Sequence, residues 1–268
     1  MTRPKISLVV IAKNEEGNIV ECLTSAEGWV DEMVVVDDES TDRTHALSRQ
    51  FTDKVFVRKM ELEGRHRNWG VDQASNDWVL FLDADERLTP ELQKEIDGVL
   101  SDHDGRTVAY WIPSRNYLGK RELRYGGWSV GHIRLYDRRY VRWKELAHDL
   151  VHPGITIAQG YRGAELKKQM IHYNYRDLEE FIQKVNRQST LEALKFHLQG
   201  RKIGLLHGLW RCFDRFWKRY VYKMGFRDGY YGFVAAFLSG FYQLAAYSKL
   251  REIQERGVYL DKIRRDSR

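Results

Sequence analysis

Between Asp77 and Leu88 the chain reads DWVLFLDADERL, and no other stretch narrows the possible folds as far. Val79 to Leu82 is an uninterrupted apolar run, the pattern of a strand buried on both faces of a parallel sheet. It stops on acid: Asp83, Asp85 and Glu86 fall within four positions. An ionised carboxylate is costly to bury without a cation or a hydrogen-bond network to compensate it, so these acids belong at the strand's carboxyl end. In open α/β sheets that edge is where ligands bind. Two carboxylates one residue apart, on a chain turning out of a strand, can share a hard divalent cation and through it hold a diphosphate. The same residues also fit a solvated acidic turn ahead of a helix, because Thr89-Pro90-Glu91 opens a helical pattern.

The preceding residues repeat this plan. Ile6 to Ala12 is a buried-strand run, Val30 to Val36 supplies a second strand, and Val55 to Val57 a short third one. A helical pattern begins at Asn14 and runs through Ile19, Cys22 and Leu23, and Gly64 to Ala74 forms another. Strands alternating with helices over this length predict an α/β fold with a doubly wound, mostly parallel sheet. The strands release Asn14 and Glu15, Asp37 and Asp38, and Asp83 and Asp85 at their carboxyl ends, where the strand-end rule brings them to one crevice. Asp37 and Asp42 also suit helix capping, and Arg65 an exposed helix face. No glycine-rich fingerprint follows the first strand, which disfavours a dinucleotide site.

A chain of 268 residues with 43% hydrophobic content can bury a real core, which excludes wholesale disorder. Two distant cysteines, Cys22 and Cys212, suit reduced thiols in the cytosol, and Met1 to Lys5 leads straight into a strand, so no secretory peptide is expected. The net charge of +6 is a property of the tail: from Arg201 onward there are 15 Lys and Arg against 6 Asp and Glu. Nucleic acid, an anionic membrane surface or an acidic glycolipid would each suit such a tail.

IAKNEEGNI, VVVDDESTDRT, RHRNWG and FLDADE, in that order and spacing, resemble the nucleotide-sugar domain of the GT-A, family 2 glycosyltransferases. The resemblance implies that Asn14, Glu15 and Asp38 line the nucleotide pocket and that Arg67 and Asn68 face it. It makes Asp83 the first acid of the DxD element and Asp85 the acid that takes Mg²⁺ or Mn²⁺. Residues 1–108 would be the nucleotide-sugar half and 109–176, with its shorter mixed segments, the acceptor and catalytic half of the same domain. In RWKELAHDLVHPG, Asp149 matches the family's His-Glu or His-Asp acid and is the expected base for inverting transfer, with Asp where relatives often carry Glu. His148 and His152 compete for that role. Gly160 to Tyr175, the helix from Leu178 through Leu198, and YKMGFRDGYYGF resemble the heptose β-1,4-glucosyltransferases of the lipopolysaccharide inner core. That likeness implies a UDP-hexose donor and a glycolipid acceptor; by it His172 is either a metal ligand or a packed structural residue.

From Ile203 to Lys223 basic residues alternate with aromatics, as in a basic amphipathic helix lying in a membrane interface. Gly229 to Ser248 carries no charge, yet its three glycines, four tyrosines, Ser239, Gln243 and Ser248 make it too polar for a typical span. Residues 177–268 are therefore expected to form a helical extension, docked peripherally on the inner face of the cytoplasmic membrane or pairing with a second copy. Nucleic acid is the weaker partner, since acidic strand ends repel phosphate backbones. Two other functions also fit the residues: a nucleotidyltransferase on an α/β fold, and a scaffold without catalysis.

Overall fold

The computed structural model describes residues 3–145, 154–202 and 204–259. The first half runs β1 (Ile6–Ala12), α1 (Ile19–Thr24), β2 (Glu32–Asp37), α2 (Thr44–Ser48), β3 (Val55–Val57), α3 (Glu63–Asp72), β4 (Trp78–Asp83), β5 (Glu86–Arg87) and α4 (Pro90–Ser101). The second runs β6 (Thr107–Ile112), β7 (Ser114–Leu118), β8 (Arg121–Leu123), β9 (His132–Asp137), β10 (Val141–Trp143), β11 (Ile155–Ile157), β12 (Arg162–Glu165) and β13 (Met170–Tyr175). Three long helices follow, α5 (Leu178–Leu198), α6 (Leu205–Trp217) and α7 (Gly229–Arg256).

Seven strands form the main sheet in the order β12-β6-β9-β4-β1-β2-β3. β4, β1, β2 and β3 are mutually parallel, and β9 enters antiparallel between β4 and β6. β1 and β4 are buried on both sides, as the sequence predicts, whereas β3 at the sheet edge leaves Val57 exposed. Leu8, Val10, Leu80 and Leu82 join α1 and α4 in one core, while Val9, Val34, Val79 and Phe81 join Val71 and Ala74 at the end of α3 in the other. The second half extends this same sheet through β6, β9 and β12 and adds a smaller one, β5-β13-β7-β8.

The first helix differs from expectation. It starts at Ile19, five residues after Asn14, because Asn14 takes a left-handed backbone (φ 55°) that a helix cannot include. The other predicted starts are seen where expected: Thr89 caps α4 by accepting from Leu92 N at 3.2 Å, and Pro90 occupies the first turn.

Polar anchors lock the amino edges of the strands. Glu32 accepts from Lys54 Nζ, from Ser7 Oγ, and from Ser75 N at 2.7 Å. Burial alone would raise its pKa, but these donors hold it at about 2. Since the folded value lies below the ordinary 4.5, the carboxylate stabilises the fold above that pH and loses its contribution as the pH falls towards about 2. Glu32→Gln is expected to lower the melting temperature at neutral pH, with a gap from the parent protein that narrows through this window. A pH-independent gap in a series of thermal melts would refute the assignment.

α5 and α7 pack under the small sheet, where Leu118 and Leu123 meet Phe181, Val185, Ala235 and Leu238. Gly232 is required there: a Cβ would lie 1.9 Å from the backbone oxygen of Gly225, which cannot swing aside as a side chain can. The uncharged stretch thus pairs with helices of its own chain. Among the described residues no helix is long and apolar enough to cross a membrane.

Candidate active site

The parallel register brings the acids together. Ile11 of β1 lies beside Asp83 and Ala12 beside Asp37, so the ends of β4, β1 and β2 open on one edge. Loop-to-loop hydrogen bonds hold the β1 and β2 ends: Asn14 N donates to Ser40 Oγ at 2.8 Å, Thr41 N to Asn14 Oδ1 at 2.8 Å, and Glu15 N to Thr44 Oγ1 at 2.7 Å. Asp38 is buried, with Lys13 Nζ at 2.9 Å and the Met60 amide at 2.7 Å on its two oxygens. Asp37 and Asp42 act as turn acceptors, for Ser40 N and Thr44 N respectively. Burial pushes the Glu15 carboxyl up, against a hydrogen bond from Asn18, and it feels the fields of Asp85 and Lys184.

Next to this pocket lies a cleft of about 280 Å³ lined by Glu63, Arg67, Asp83, Trp111, Arg134, Trp143 and His172, among others. Arg67 lies against the paired rings of Phe81 and Trp143, 4.7 Å from each centroid, and reaches Glu63 at 2.8 Å and Asp83 at 3.3 Å. Asn68 faces the other way. Its amide donates to Trp143 O and Glu145 Oε1 while its oxygen accepts from Trp143 N, which ties α3 to the strand beside the cleft. Arg65 is half exposed and pairs with Glu145.

The DADE run is resolved by one arginine. Glu86 is fully buried, contrary to a solvated turn, because Arg134 from β9 binds it together with Asp83 (2.6 Å to Oδ2). The antiparallel pairing of β9 with β4 delivers that guanidinium to the strand's carboxyl end. Although burial opposes its charge, Asp83 is held well below the usual carboxylate range by Arg134 and Arg67. Burial pushes Glu86 up despite Arg134, so of the two acids Glu86 is the one that takes a proton first.

Asp85 points elsewhere. Its Oδ1 lies 3.4 Å from His172 Nε2 and its Oδ2 3.6 Å from Lys184 Nζ. Burial works against ionising both partners, yet their contact holds Asp85 down and lifts His172. Among the described residues no three His, Cys, Asp or Glu side chains are grouped to hold a metal by themselves. One carboxylate beside one imidazole nevertheless fits Mg²⁺ or Mn²⁺ that draws its remaining ligands from water and a diphosphate. Arg67 Nη1 and Arg134 Nε, buried beside the cleft without a hydrogen-bond acceptor, suit an anionic ligand there. Asp149, His148 and His152 lie outside the described residues, but Trp143 and Ile155, on either side of that segment, both line the cleft.

Sequence reasoning missed Arg134 and Lys184. A charge inside the strand HIRLYD was the one available signal for the first. Nothing in α5 marked the second, whose approach depends on how that helix packs.

An edge of this kind defines an α/β enzyme working at the carboxyl end of its parallel strands. Residues 7–161 match the model of glycosyl transferase family 2, and the chain belongs to that family. It is a glycosyltransferase of GT-A architecture, as its motifs imply. An uncharacterised glycosyltransferase of Rickettsia typhi is 29% identical over 255 residues, 93% of this chain and 87% of the relative. The lipopolysaccharide core biosynthesis glycosyltransferase LpsC of Rhizobium meliloti is 27% identical over 231 residues, 77% and 83% of the two chains. Among solved structures, a mannosyltransferase of Pyrobaculum calidifontis in complex with GDP-mannose and Mn²⁺ is similar with a TM-score of 0.49 at 15% identity, covering 95% of this chain and 76% of that one. Glucosyl-3-phosphoglycerate synthase of Mycobacterium tuberculosis in complex with Mg²⁺ and UDP matches over 43% and 44%, with a TM-score of 0.34 at 26% identity.

Proposed function

We propose that this glycosyltransferase moves a hexose, glucose from a UDP donor, onto a lipopolysaccharide-core or related glycolipid acceptor, with inversion at the anomeric carbon. The single observation that carries the reading is the pairing of Asp85 with His172 beside a cleft walled by Arg67 and Arg134. The likeness to LpsC supports the acceptor class. Asp85 and His172 would hold Mg²⁺ or Mn²⁺, which when bound neutralises charge on the departing diphosphate. Asn14, Glu15 and Asp38 position the nucleoside. Arg67 and Arg134 keep Asp83 ionised and offer phosphate the buried Nη1 and Nε groups that have no acceptor, and Trp111 and Trp143 screen the cleft from water. Asp149 takes the proton from the acceptor hydroxyl at its carboxylate; the flanking Trp143 and Ile155 support that assignment.

We also propose a location on the cytoplasmic face of the inner membrane, which the tail supports. Trp210, Phe213 and Trp217 of α6 are all exposed, and Arg211, Arg215 and Lys218 lie among them. Aromatic rings beside cations suit an anionic lipid interface.

Purified protein would be given UDP-glucose, UDP-galactose or GDP-mannose with Mn²⁺, and a heptose-terminated core acceptor in phosphatidylglycerol vesicles. UDP-glucose should be consumed in an acceptor-dependent, EDTA-sensitive way, yielding UDP and an inverted linkage by NMR. The protein should co-sediment with anionic but not neutral vesicles. Release of pyrophosphate, or a retained anomer, would overturn the reaction. Equal binding to neutral vesicles would overturn the docking.

A further inference from the structure

The hairpin of β7 and β8 and the turn into α7 border a second, open cavity, of about 730 Å³, that shares no lining residue with the cleft. Four cations reach it, Lys120, Arg121, Arg124 and Arg227, against two acids. Both acids are engaged: Glu122 accepts from Arg124 Nε at 3.0 Å, and Asp228 from the backbone amide of Tyr125 at 2.9 Å. Lys120, Arg121 and Arg227 have no carboxylate partner among the described residues. Arg227 instead lies 4.4 Å from the centre of the Tyr125 ring and Arg121 5.9 Å from that of Tyr231, cation–ring contacts that leave their N–H donors without a carboxylate.

Tyr117, Tyr230 and Tyr231 complete the walls, and Tyr230 is 71% exposed. Rings of this kind offer flat apolar faces for a pyranose and hydroxyls for its polar edge. The cavity is separate from the catalytic edge. His172 pairs with Asn116, whereas Tyr117 touches Tyr173 at 5.3 Å, and successive strand residues point to opposite faces of the small sheet.

We propose that this cavity binds an anionic saccharide, a phosphorylated or carboxylate-bearing sugar, with Arg121 and Arg227 on the anion and Tyr230 and Tyr231 against the ring. Binding there does not depend on the reaction proposed above, although an acidic core glycolipid would present such a group. The test is calorimetry on the full chain saturated with UDP and Mn²⁺, with glucose 6-phosphate, glucose, inorganic phosphate and glycerol 3-phosphate as probes. Glucose 6-phosphate should bind at least about tenfold more tightly than the other three. Arg121→Glu combined with Arg227→Glu should remove that binding, with the circular dichroism spectrum and UDP affinity unchanged, and Asp85→Asn should leave it intact. Equal binding of phosphate would reduce the cavity to a simple anion site, and equal binding of glycerol 3-phosphate would make it a phospholipid-headgroup site; either overturns the proposal. So would sugar-phosphate binding that survives the double variant, or that fails with Asp85→Asn.

Discussion

Asp85→Asn should yield a folded protein whose turnover has dropped by about 10³-fold, the scale seen when one preorganised charge-stabilising group is removed from an active site. The substitution keeps the shape of the side chain and removes its charge. The fold should tolerate it, because the backbone at this position is held independently: Tyr173 N donates to Asp85 O at 2.9 Å. Loss of the carboxylate also removes a partner of both His172 and Lys184: the buried imidazole loses the contact that lifts its pKa, and the Lys184 ammonium keeps only Glu180 as a carboxylate partner beside the place where a divalent ion would bind. Mn²⁺-dependent UDP binding should therefore weaken together with turnover. Steady-state kinetics and calorimetry on the same preparation check this, and turnover within a few-fold of the parent would remove Asp85 from the chemistry.

Arg134→Met should have the largest effect on stability, of about 3–5 kcal/mol, the range measured when one member of a buried ion pair is removed. In a domain of this size that corresponds to a fall in melting temperature on the order of 10 °C. The cause is Glu86, which is fully buried and depends on Arg134 for its counter-charge, while Asp83 retains Arg67 and partial access to water. Glu86→Gln in the same chain should recover part of the loss, because the charge that lacked a partner is gone. If the two substitutions prove additive in thermal melts, the buried pair is not what the arginine supports. A structural ion pair this close to the cleft also links stability to function, since the same guanidinium orients Asp83.

The sequence shows this division at the level of single residues. Val79 to Leu82 could only be a strand buried on both faces, and it is. Thr89-Pro90 starts a helix wherever it occurs, since a capping hydroxyl and a fixed φ act within one turn. The three strand-end acid groups could be assigned to one edge, because parallel strands joined by helices all point the same way. By contrast, Glu86 could not be told from its solvated neighbours: its burial depends on a cation 48 residues further along. Asn68 belongs to a motif that suggests ligand contact, yet its three hydrogen bonds hold the strand next to the cleft. The sequence could not show that Asn14 interrupts the helix it was expected to start, because its left-handed backbone is set by bonds to Ser40 and Thr41 in another loop.

The chain's own order of residues determined the strand-and-helix alternation, the edge on which the acids lie, the family and the amphipathic character of the tail, because each depends on periodicities and motifs that act over a few residues. Only the tertiary structure decided which acid receives Arg134, that Asp85 turns to His172 and Lys184, that the uncharged helix covers the small sheet of its own chain, and that a second basic cavity exists. These depend on the pairing of side chains tens of residues apart, which strand register and helix packing fix and no local pattern records.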